Sequence, residues 1–288
     1  MTFELKKGNL RAEVRTLGGE LVSLKDEKDQ EYIWEGNPSF WSGQNPILFP
    51  IVGSLKDGKV DIGGKIYEMG RHGFARGMEF SAADRGEDFV TLELRENEET
   101  LKRYPFPFTL RVTHRLLEDG FATTFAVANT GSDPMPFCVG GHTAIRIPEG
   151  ERFEDYDLVF DMPEQADSHL LNAQGIIRHD GRKPMLDGSR IALNYHDFAE
   201  MDTIIFSLLR SGNVSLLNRE TGREVRLDFH EFPMVAFWTK PGAPFLCLEP
   251  WQGGAAWDNE SGKFEDKPFC TVLQPGSEKK LTYSFHIQ

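Results

Sequence analysis

The strongest constraint on the fold is a two-residue alternation of apolar and polar side chains that recurs along the chain. Leu10, Ala12 and Val14 alternate with charged residues, and residues 110–116 alternate in the same way before a Glu-Asp-Gly turn at residues 118–120. Alternation with period two is typical of strands with one buried face, and a turn between two such runs indicates a hairpin. Further alternating runs cover residues 90–95, 121–127, 225–229 and 281–285.

Helical patterns are few and short. Residues 97–104 are predicted to form one short helix, with Asn97 as its cap and Pro105 just beyond its end. Residues 197–202 are predicted to form a single helical turn. Many short strands together with 28 glycines and 16 prolines favour an all-β fold, a large antiparallel sandwich or barrel. Because no linker or internal repeat interrupts the pattern, residues 1–288 are predicted to form one domain.

The charge balance and the cysteines restrict the partners and the compartment. The net charge of -13 repels nucleic-acid phosphates and anionic lipid, so neither a nucleic acid nor a membrane is an expected partner. Three cysteines, none in a CxxC pair, are typical of a reducing compartment. The first 14 residues lack the apolar core of a signal peptide. A cytoplasmic protein is therefore predicted, and its oligomeric state is left open.

Common cofactor and hydrolase motifs are absent from the sequence. It contains no GxGxxG or GxxxxGK[ST] phosphate loop, no HExxH pair and no GxSxG nucleophile motif. The candidate chemistry therefore rests on three unusual local segments.

The first segment, residues 70–76, places His72 between Arg71 and Arg76 and next to glycines. Glycine allows a backbone to approach a ligand closely, but a surface turn with solvated arginines would have the same composition. The second segment, residues 137–145, runs from apolar residues through two glycines to His142. His142 is either a catalytic group or a core histidine held by a backbone carbonyl.

The third segment, residues 244–254, leads from apolar residues to a lone carboxylate, Glu249, followed by Pro250 and Trp251. Because proline cannot donate to a strand ladder, Glu249 is expected at a strand end, either at the mouth of the sheet or inside a functional cleft. Carboxylates are rarely buried without a partner, which favours a functional role. Trp251 either offers an aromatic face to a sugar ring or belongs to the core.

Together with residues 45–53, these segments resemble the aldose 1-epimerase family, and within it the bacterial lactose-operon X proteins. The similar stretches are Asn-Pro-Ile-Leu-Phe-Pro-Ile-Val-Gly at 45–53, His-Gly-Phe-Ala-Arg at 72–76, Gly-Gly-His at 140–142 and Cys-x-Glu-Pro-Trp at 247–251. Their order and spacing follow the family over nearly the whole chain. The resemblance implies a mutarotase-like β-supersandwich with few short helices and a sugar cleft on one concave face.

The resemblance also implies roles for individual residues. Glu249 would be the base that takes the anomeric hydroxyl proton, His142 the acid that protonates the ring oxygen, and His72 a group that holds and polarises the sugar. Asp202, in the Phe-x-x-x-Asp stretch at 198–202, would bind sugar hydroxyls, and Arg76 would assist binding. Many relatives carry Arg where this chain has Ser54, so a contact made by that arginine is in doubt.

Mutarotation opens and recloses a hemiacetal by proton transfer, so one base and one acid suffice, and neither a cofactor nor a metal is predicted. The default substrate is a neutral hexose such as galactose or glucose. Arg71 and Arg76 leave a hexose phosphate as an alternative. Two further alternatives stay open: a sugar-binding module without catalysis, and a metalloenzyme that uses His72, His142 and Glu249 as ligands.

Overall fold

The computed structural model describes all 288 residues, of which 48% lie in strands and 7% in helices, and confirms the all-β prediction. All strand pairs in the named sheets are antiparallel. In chain order the strands are β1 Thr2–Lys7, β2 Leu10–Arg15, β3 Glu20–Lys25, β4 Lys59–Ile62, β5 Lys65–Glu68, β6 Ser81–Arg85, β7 Phe89–Arg95, β8 Phe108–Leu116, β9 Gly120–Asn129, β10 Met135–Phe137, β11 Val139–Gly140, β12 Thr143–Arg146, β13 Tyr156–Phe160, β14 Ser168–Leu171, β15 Ile177–Lys183, β16 Arg190–Ala192, β17 Thr203–Ser207, β18 Asn213–Asn218, β19 Glu224–Asp228, β20 Met234–Trp238, β21 Phe245–Gln252, β22 Thr271–Leu273 and β23 Glu278–Ile287.

Two large sheets form the body of the protein. One has nine strands in the order β16-β13-β18-β19-β23-β9-β8-β7-β6, and the other has seven, β11-β21-β20-β17-β14-β15 with β12 also on β21. Their faces pack together, since the ring of Phe160 in the first sheet lies 6.0 Å from Phe206 and 6.1 Å from Phe237 in the second. Smaller sheets join β1, β2 and β3, β4 to β5, and β10 to β22. One core cluster of 69 buried residues extends from Leu5 to Phe285.

The alternating runs form strands where the sequence indicates them. In the predicted hairpin, β8 and β9 pair from Phe108 opposite Asn129 to Leu116 opposite Phe121. The turn between them closes where the amide of Leu117 donates to the carbonyl of Gly120, at 2.9 Å. The apolar members of each run are buried because the pleat places alternate side chains on the core face.

Both predicted helices exist with shifted bounds. The helix α1 is Glu98–Leu101, capped by Asn97 as predicted but shorter than residues 97–104. The helix ends after Leu101, and further along the chain Pro105 disfavours a helical backbone at Tyr104. The helix α2 is Tyr195–Met201, and it begins before the predicted turn because the Asn194 side chain accepts from the amide of Asp197 at 2.9 Å. Single 3-10 turns cover Lys56–Gly58, Ala75–Gly77 and Phe153–Asp155. None of the helices combines the length and the apolar character needed to span a membrane.

The prediction that Glu249 ends a strand is wrong. Strand β21 continues through Pro250 to Gln252, so Glu249 lies inside it. Proline lacks an amide donor but keeps its carbonyl, and the carbonyl of Pro250 accepts from the amide of Gly141 at 3.1 Å. The strand therefore loses one hydrogen-bond donor at Pro250 but still pairs through the proline carbonyl. Glu249 lies inside the strand, and only 1% of it is exposed.

Candidate active site

The segment 45–53 lies between the two histidine segments and holds them together. Leu48 and Gly140 exchange two backbone hydrogen bonds of 3.0 Å, which fixes the segment to the strand that leads to His142. On its other side, the amide of Phe49 donates to the carbonyl of His72 at 3.3 Å. Two stretches about 70 residues apart in sequence are thus brought to one place by a third.

His72 is held in an unusual backbone conformation. Its φ is 67° and that of Gly73 is 72°, a region that residues with side chains rarely adopt. A Cβ on Gly73 would lie 2.2 Å from the carbonyl oxygen of Phe49, so only glycine fits there. Backbone strain of this kind persists where the surrounding structure imposes it, and it concentrates at functional sites.

Hydrogen bonds to Gly53 determine the tautomer of His72. The amide of His72 donates to the carbonyl of Gly53 at 2.8 Å, and the amide of Gly53 donates to Nδ1 of His72 at 3.1 Å. A ring nitrogen that accepts an amide hydrogen carries no proton of its own, so the neutral ring has its proton on Nε2. Nε2 is therefore a hydrogen-bond donor, as the predicted sugar-holding role requires.

His142 and Glu249 face each other across two strands. Gly140 pairs with Trp251 and Thr143 pairs with Leu248, and the same register sets His142 opposite Glu249. His142 Nε2 lies 3.3 Å from Glu249 Oε2, and the two side chains are 9% and 1% exposed. The contact lacks hydrogen-bond geometry, so Oε2 stays a buried acceptor without a hydrogen-bond partner. Such a group is uncommon in a folded protein and points to a role in function.

Aromatic side chains surround His142. The ring of Trp41 lies 5.0 Å from the imidazole, that of His72 5.6 Å and that of Trp238 5.8 Å. Trp251, a predicted sugar contact, also lines the cleft. Trp41 and Trp238 were not identified from the sequence. For Trp41 the sequence contained one signal. It lies among Ser, Gly and Asn at residues 37–45, where no strand pattern predicts a core position.

Burial dominates the electrostatics of the cleft. It raises the pKa of Glu249 well above the usual value, against the opposing influence of Arg71 and the Trp251 indole. It lowers the pKa of His142 to about 3, with further lowering by Arg71 and Arg76. Burial likewise holds the pKa of His72 well below its usual value. The favoured charge state is therefore a protonated carboxyl beside two neutral imidazoles.

The charged binding candidates lie at the mouth of the cleft. Arg71 and Arg76 both line it, and Nη2 of Arg76 donates to the carbonyl of Arg71 at 3.0 Å. Asp202 lies outside the cleft, in an adjoining groove that Arg71 also lines. Its Oδ2 is 3.6 Å from Nη2 of Arg71. The structure thus groups six of the seven predicted site residues in one cleft and places Asp202 beside it.

The structure does not group the ligands of the alternative metal site as the sequence suggested. At the cleft, the side chains whose donor atoms cluster are His142, Cys247 and Glu249, and His72 is not among them. Nδ1 of His72 already accepts the Gly53 amide, so that nitrogen is not available as a ligand.

Comparison with known proteins agrees with the geometry of the cleft. The family model for aldose 1-epimerase matches residues 1–286. The chain belongs to the aldose 1-epimerase family. It is 36% identical over 303 aligned positions to the chromosomal protein LacX of Lactococcus lactis subsp. lactis, covering 100% of this chain and 99% of that protein.

Solved structures of other relatives share the fold. A galactose mutarotase related enzyme from Lactobacillus acidophilus superposes with a TM-score of 0.92 at 31% identity, covering 100% of this chain and 97% of that one. A galactose mutarotase-like protein from Lactobacillus casei gives a TM-score of 0.92 at 28% identity, with full coverage of both chains. The mutarotase-like architecture predicted from the sequence is confirmed, and membership of the aldose 1-epimerase family supports an enzyme that acts on a small sugar.

Proposed function

We propose that the protein interconverts the α and β anomers of a free aldohexose by opening and reclosing the sugar ring, with Glu249 as base and His142 as acid. The observation that carries the proposal is the buried pair itself, with 3.3 Å between Nε2 and Oε2. A protein that only binds sugar does not need a buried acid–base pair in which a carboxyl oxygen, Oε2 of Glu249, has no hydrogen-bond partner. Mutarotation needs such a pair.

The pair carries one proton, and its position defines two states. In the resting state Glu249 is protonated and His142 is neutral, as burial favours for both groups. In the reactive state the proton lies on His142 and Glu249 is ionised; the positive charge of Arg71 stabilises the carboxylate and opposes the protonated imidazole. Both states have the same net charge on the pair, so a neutral sugar can enter without a proton from solvent.

Ring opening uses the reactive state. Ionised Glu249 removes the proton from the anomeric hydroxyl while protonated His142 delivers its proton to the ring oxygen. The bond between the anomeric carbon and the ring oxygen breaks, and an open-chain aldehyde forms. One proton has been taken up and one given, which leaves the pair in its resting state.

Reclosure reverses these steps on the other face. Rotation about the bond between the first two carbons turns the aldehyde over. His142 then takes the proton from the attacking hydroxyl as protonated Glu249 gives one to the carbonyl oxygen. The product is the other anomer, and the pair has returned to its reactive state. No redox step or group transfer occurs, so the proposal includes no cofactor.

In this proposal His72 and the aromatic side chains of the cleft orient the sugar. Nε2–H of His72 donates to a sugar oxygen, because the Gly53 amide holds its other nitrogen as an acceptor. Trp41, Trp238 and Trp251 offer apolar faces to the C–H surfaces of a pyranose and exclude water from the reacting atoms.

A neutral hexose fits the charges better than a hexose phosphate. Arg71 is paired with Asp202, and Arg76 donates to a backbone carbonyl, so both guanidinium groups are partly engaged. Ser54, which follows Gly53, contributes no further cation. Galactose and glucose are the first candidates, and a cytoplasmic location is part of the same proposal.

Exchange NMR of the two anomeric signals tests this function over a panel of free and phosphorylated aldoses. We expect exchange above the spontaneous rate for a free hexose, and a loss of about 10²–10⁴ in kcat for Glu249→Gln with little change in sugar affinity. Wild-type protein that binds a hexose without accelerating exchange would instead establish a binding module. A preference for a hexose phosphate would overturn the substrate assignment alone.

A further inference from the structure

Cys247 brings a sulfur donor to the acid–base pair. It lies two residues before Glu249 on β21, so the pleat directs both side chains to the same face of the sheet. The donor atoms of His142, Cys247 and Glu249 all lie within 4.8 Å of one another, and all three residues are buried. No step of the proposed reaction uses the thiol.

We propose that His142, Cys247 and Glu249 form a binding site for a soft divalent cation, with Zn²⁺ as the best fit, and that the bound cation blocks the enzyme. A further observation indicates a ligand here. Oε2 of Glu249 is buried without a hydrogen-bond partner, so the site contains a polar atom that the protein itself leaves unpaired.

The donor set matches zinc in type and spacing. Zinc in proteins binds sulfur, nitrogen and carboxylate oxygen, and tetrahedral coordination sets neighbouring donors about 3.3–3.8 Å apart. The nitrogen–oxygen separation of 3.3 Å already has this value, and the sulfur, within 4.8 Å of a donor atom of each partner, is about 1 Å outside this range at most. Two of the three ligands, His142 and Glu249, line the cleft. A thiolate ligand selects zinc or cadmium over magnesium and calcium.

Charge balance favours occupation of this buried position. A thiolate and a carboxylate together neutralise the dication, so the complex with a neutral imidazole carries no net charge. Two protons leave to solvent as the metal binds, one from the thiol and one from the pair. A neutral complex avoids the desolvation penalty that an isolated cation would meet there.

The same coordination explains why the cation inhibits. Metal bonds occupy the carboxylate that must take the anomeric proton and the ring nitrogen that must protonate the ring oxygen. The cation also fills the space in which the anomeric centre would sit, so sugar and metal compete. The inhibition rests on the proposed function, but the binding does not.

Cobalt spectroscopy tests the site without any activity measurement. Co²⁺ bound through a thiolate gives a charge-transfer band in the near ultraviolet, and we expect this band in the wild-type protein and its loss on addition of Zn²⁺. Cys247→Ala should abolish the band, and Cys138→Ala and Cys270→Ala, which remove the other two thiols, should retain it. Cys247→Ser, which keeps the volume, serves if the alanine variant does not fold. A band that persists in both Cys247 variants, or no band at all, would overturn the metal site.

Inhibition is tested with Zn²⁺ alone. In the wild-type enzyme Zn²⁺ should raise the apparent KM for the sugar with kcat unchanged. Cys247→Ala should keep the uninhibited turnover and raise the half-inhibitory Zn²⁺ concentration by about tenfold or more. Chelator should leave the wild-type rate unchanged or raise it. Activation by Zn²⁺ would contradict a blocking role, and absence of mutarotation in metal-free protein would count against the proposed function only.

Discussion

His142 Nε2 lies 3.3 Å from Glu249 Oε2, directly across two antiparallel strands whose register makes the residues opposite partners. Burial lowers the pKa of the histidine and raises that of the glutamate. The shared proton therefore rests on Glu249, and the proposed reaction uses the state in which it has moved to His142. The first three predictions concern this pair and the groups that orient or polarise it.

The two groups should act as one unit in kinetics. His142→Asn should lower kcat by about 10²–10⁴, as Glu249→Gln does, because ring opening needs both proton transfers in one step. The double variant should be far less impaired than the product of the two effects. Polarimetry with saturating sugar measures the three rates. Fully multiplicative losses would show that the residues act in separate steps.

Charges near Glu249 should shift the pH dependence of turnover in opposite directions. Ring opening needs one proton on the pair, so kcat should fall as pH rises through the midpoint at which the pair loses it, and that midpoint lies above the usual carboxyl range because burial raises the pKa of Glu249. Arg71 lowers that pKa and Asp202 raises it. Arg71→Met should therefore move the midpoint to higher pH and Asp202→Asn to lower pH, and Arg71→Lys should stay near wild type. Shifts in the same direction for the first two would contradict the assignment of the titrating group to Glu249.

Gly141 should tolerate no side chain. An added Cβ would lie 2.7 Å from the Tyr283 hydroxyl and 2.8 Å from two of its ring carbons. The ring cannot retreat because it packs within 6.0 Å of Phe232 and 5.8 Å of Phe125. Gly141→Ala should cost about 1–3 kcal/mol of unfolding free energy and lower kcat by displacing His142. Gly77→Ala is the matched control, since its Cβ would meet nothing within 4 Å. Equal urea midpoints for both variants would refute the steric explanation.

Acid should destabilise the fold through His114. This imidazole is fully buried, with Nε2 2.8 Å from the Gly19 carbonyl and Nδ1 2.9 Å from the Thr123 hydroxyl, and burial lowers its pKa to about 4. Below pH ~6.5 the unfolded chain takes up a proton that the folded chain does not, so stability falls as pH decreases towards 4. At pH 5 the loss from this residue is about 2 kcal/mol. Urea unfolding at pH 7.5 and 5.0 measures it, and His114→Gln should show a smaller drop between the two values.

The chain should unfold as one domain. Its core cluster of 69 residues extends from Leu5 to Phe285 and includes side chains from both large sheets, so neither sheet can lose its packing alone. We expect coincident transitions in tryptophan fluorescence and far-ultraviolet circular dichroism, with equal calorimetric and van't Hoff enthalpies. Limited proteolysis that released two stable fragments of similar size would show two domains instead.

Much of the fold and part of the site follow from local patterns. The strand β8, the turn at 118–120 and the strand β9 were predictable because period-two alternation and turn residues act over a few positions. His72 and His142 stood out because glycines next to a histidine are locally unusual. The helix bounds were less predictable. The local helical pattern is weak, and the side-chain cap of Asn194 decides where α2 begins.

Only the tertiary structure decided how the site is assembled. The predicted strand end at Glu249 was wrong, because Pro250 keeps the carbonyl that receives the amide of Gly141, a partner more than one hundred residues away in sequence. Strand register and loop packing, which composition does not encode, bring Trp41 and Trp238 to the cleft and Cys247 next to His142 and Glu249. The charge states of His142 and Glu249 depend on burial, and burial arises only when distant strands exclude water together. Sequence by itself determined which segments become strands and which side chains can transfer protons, and the pairing of distant strands determined which of those side chains meet.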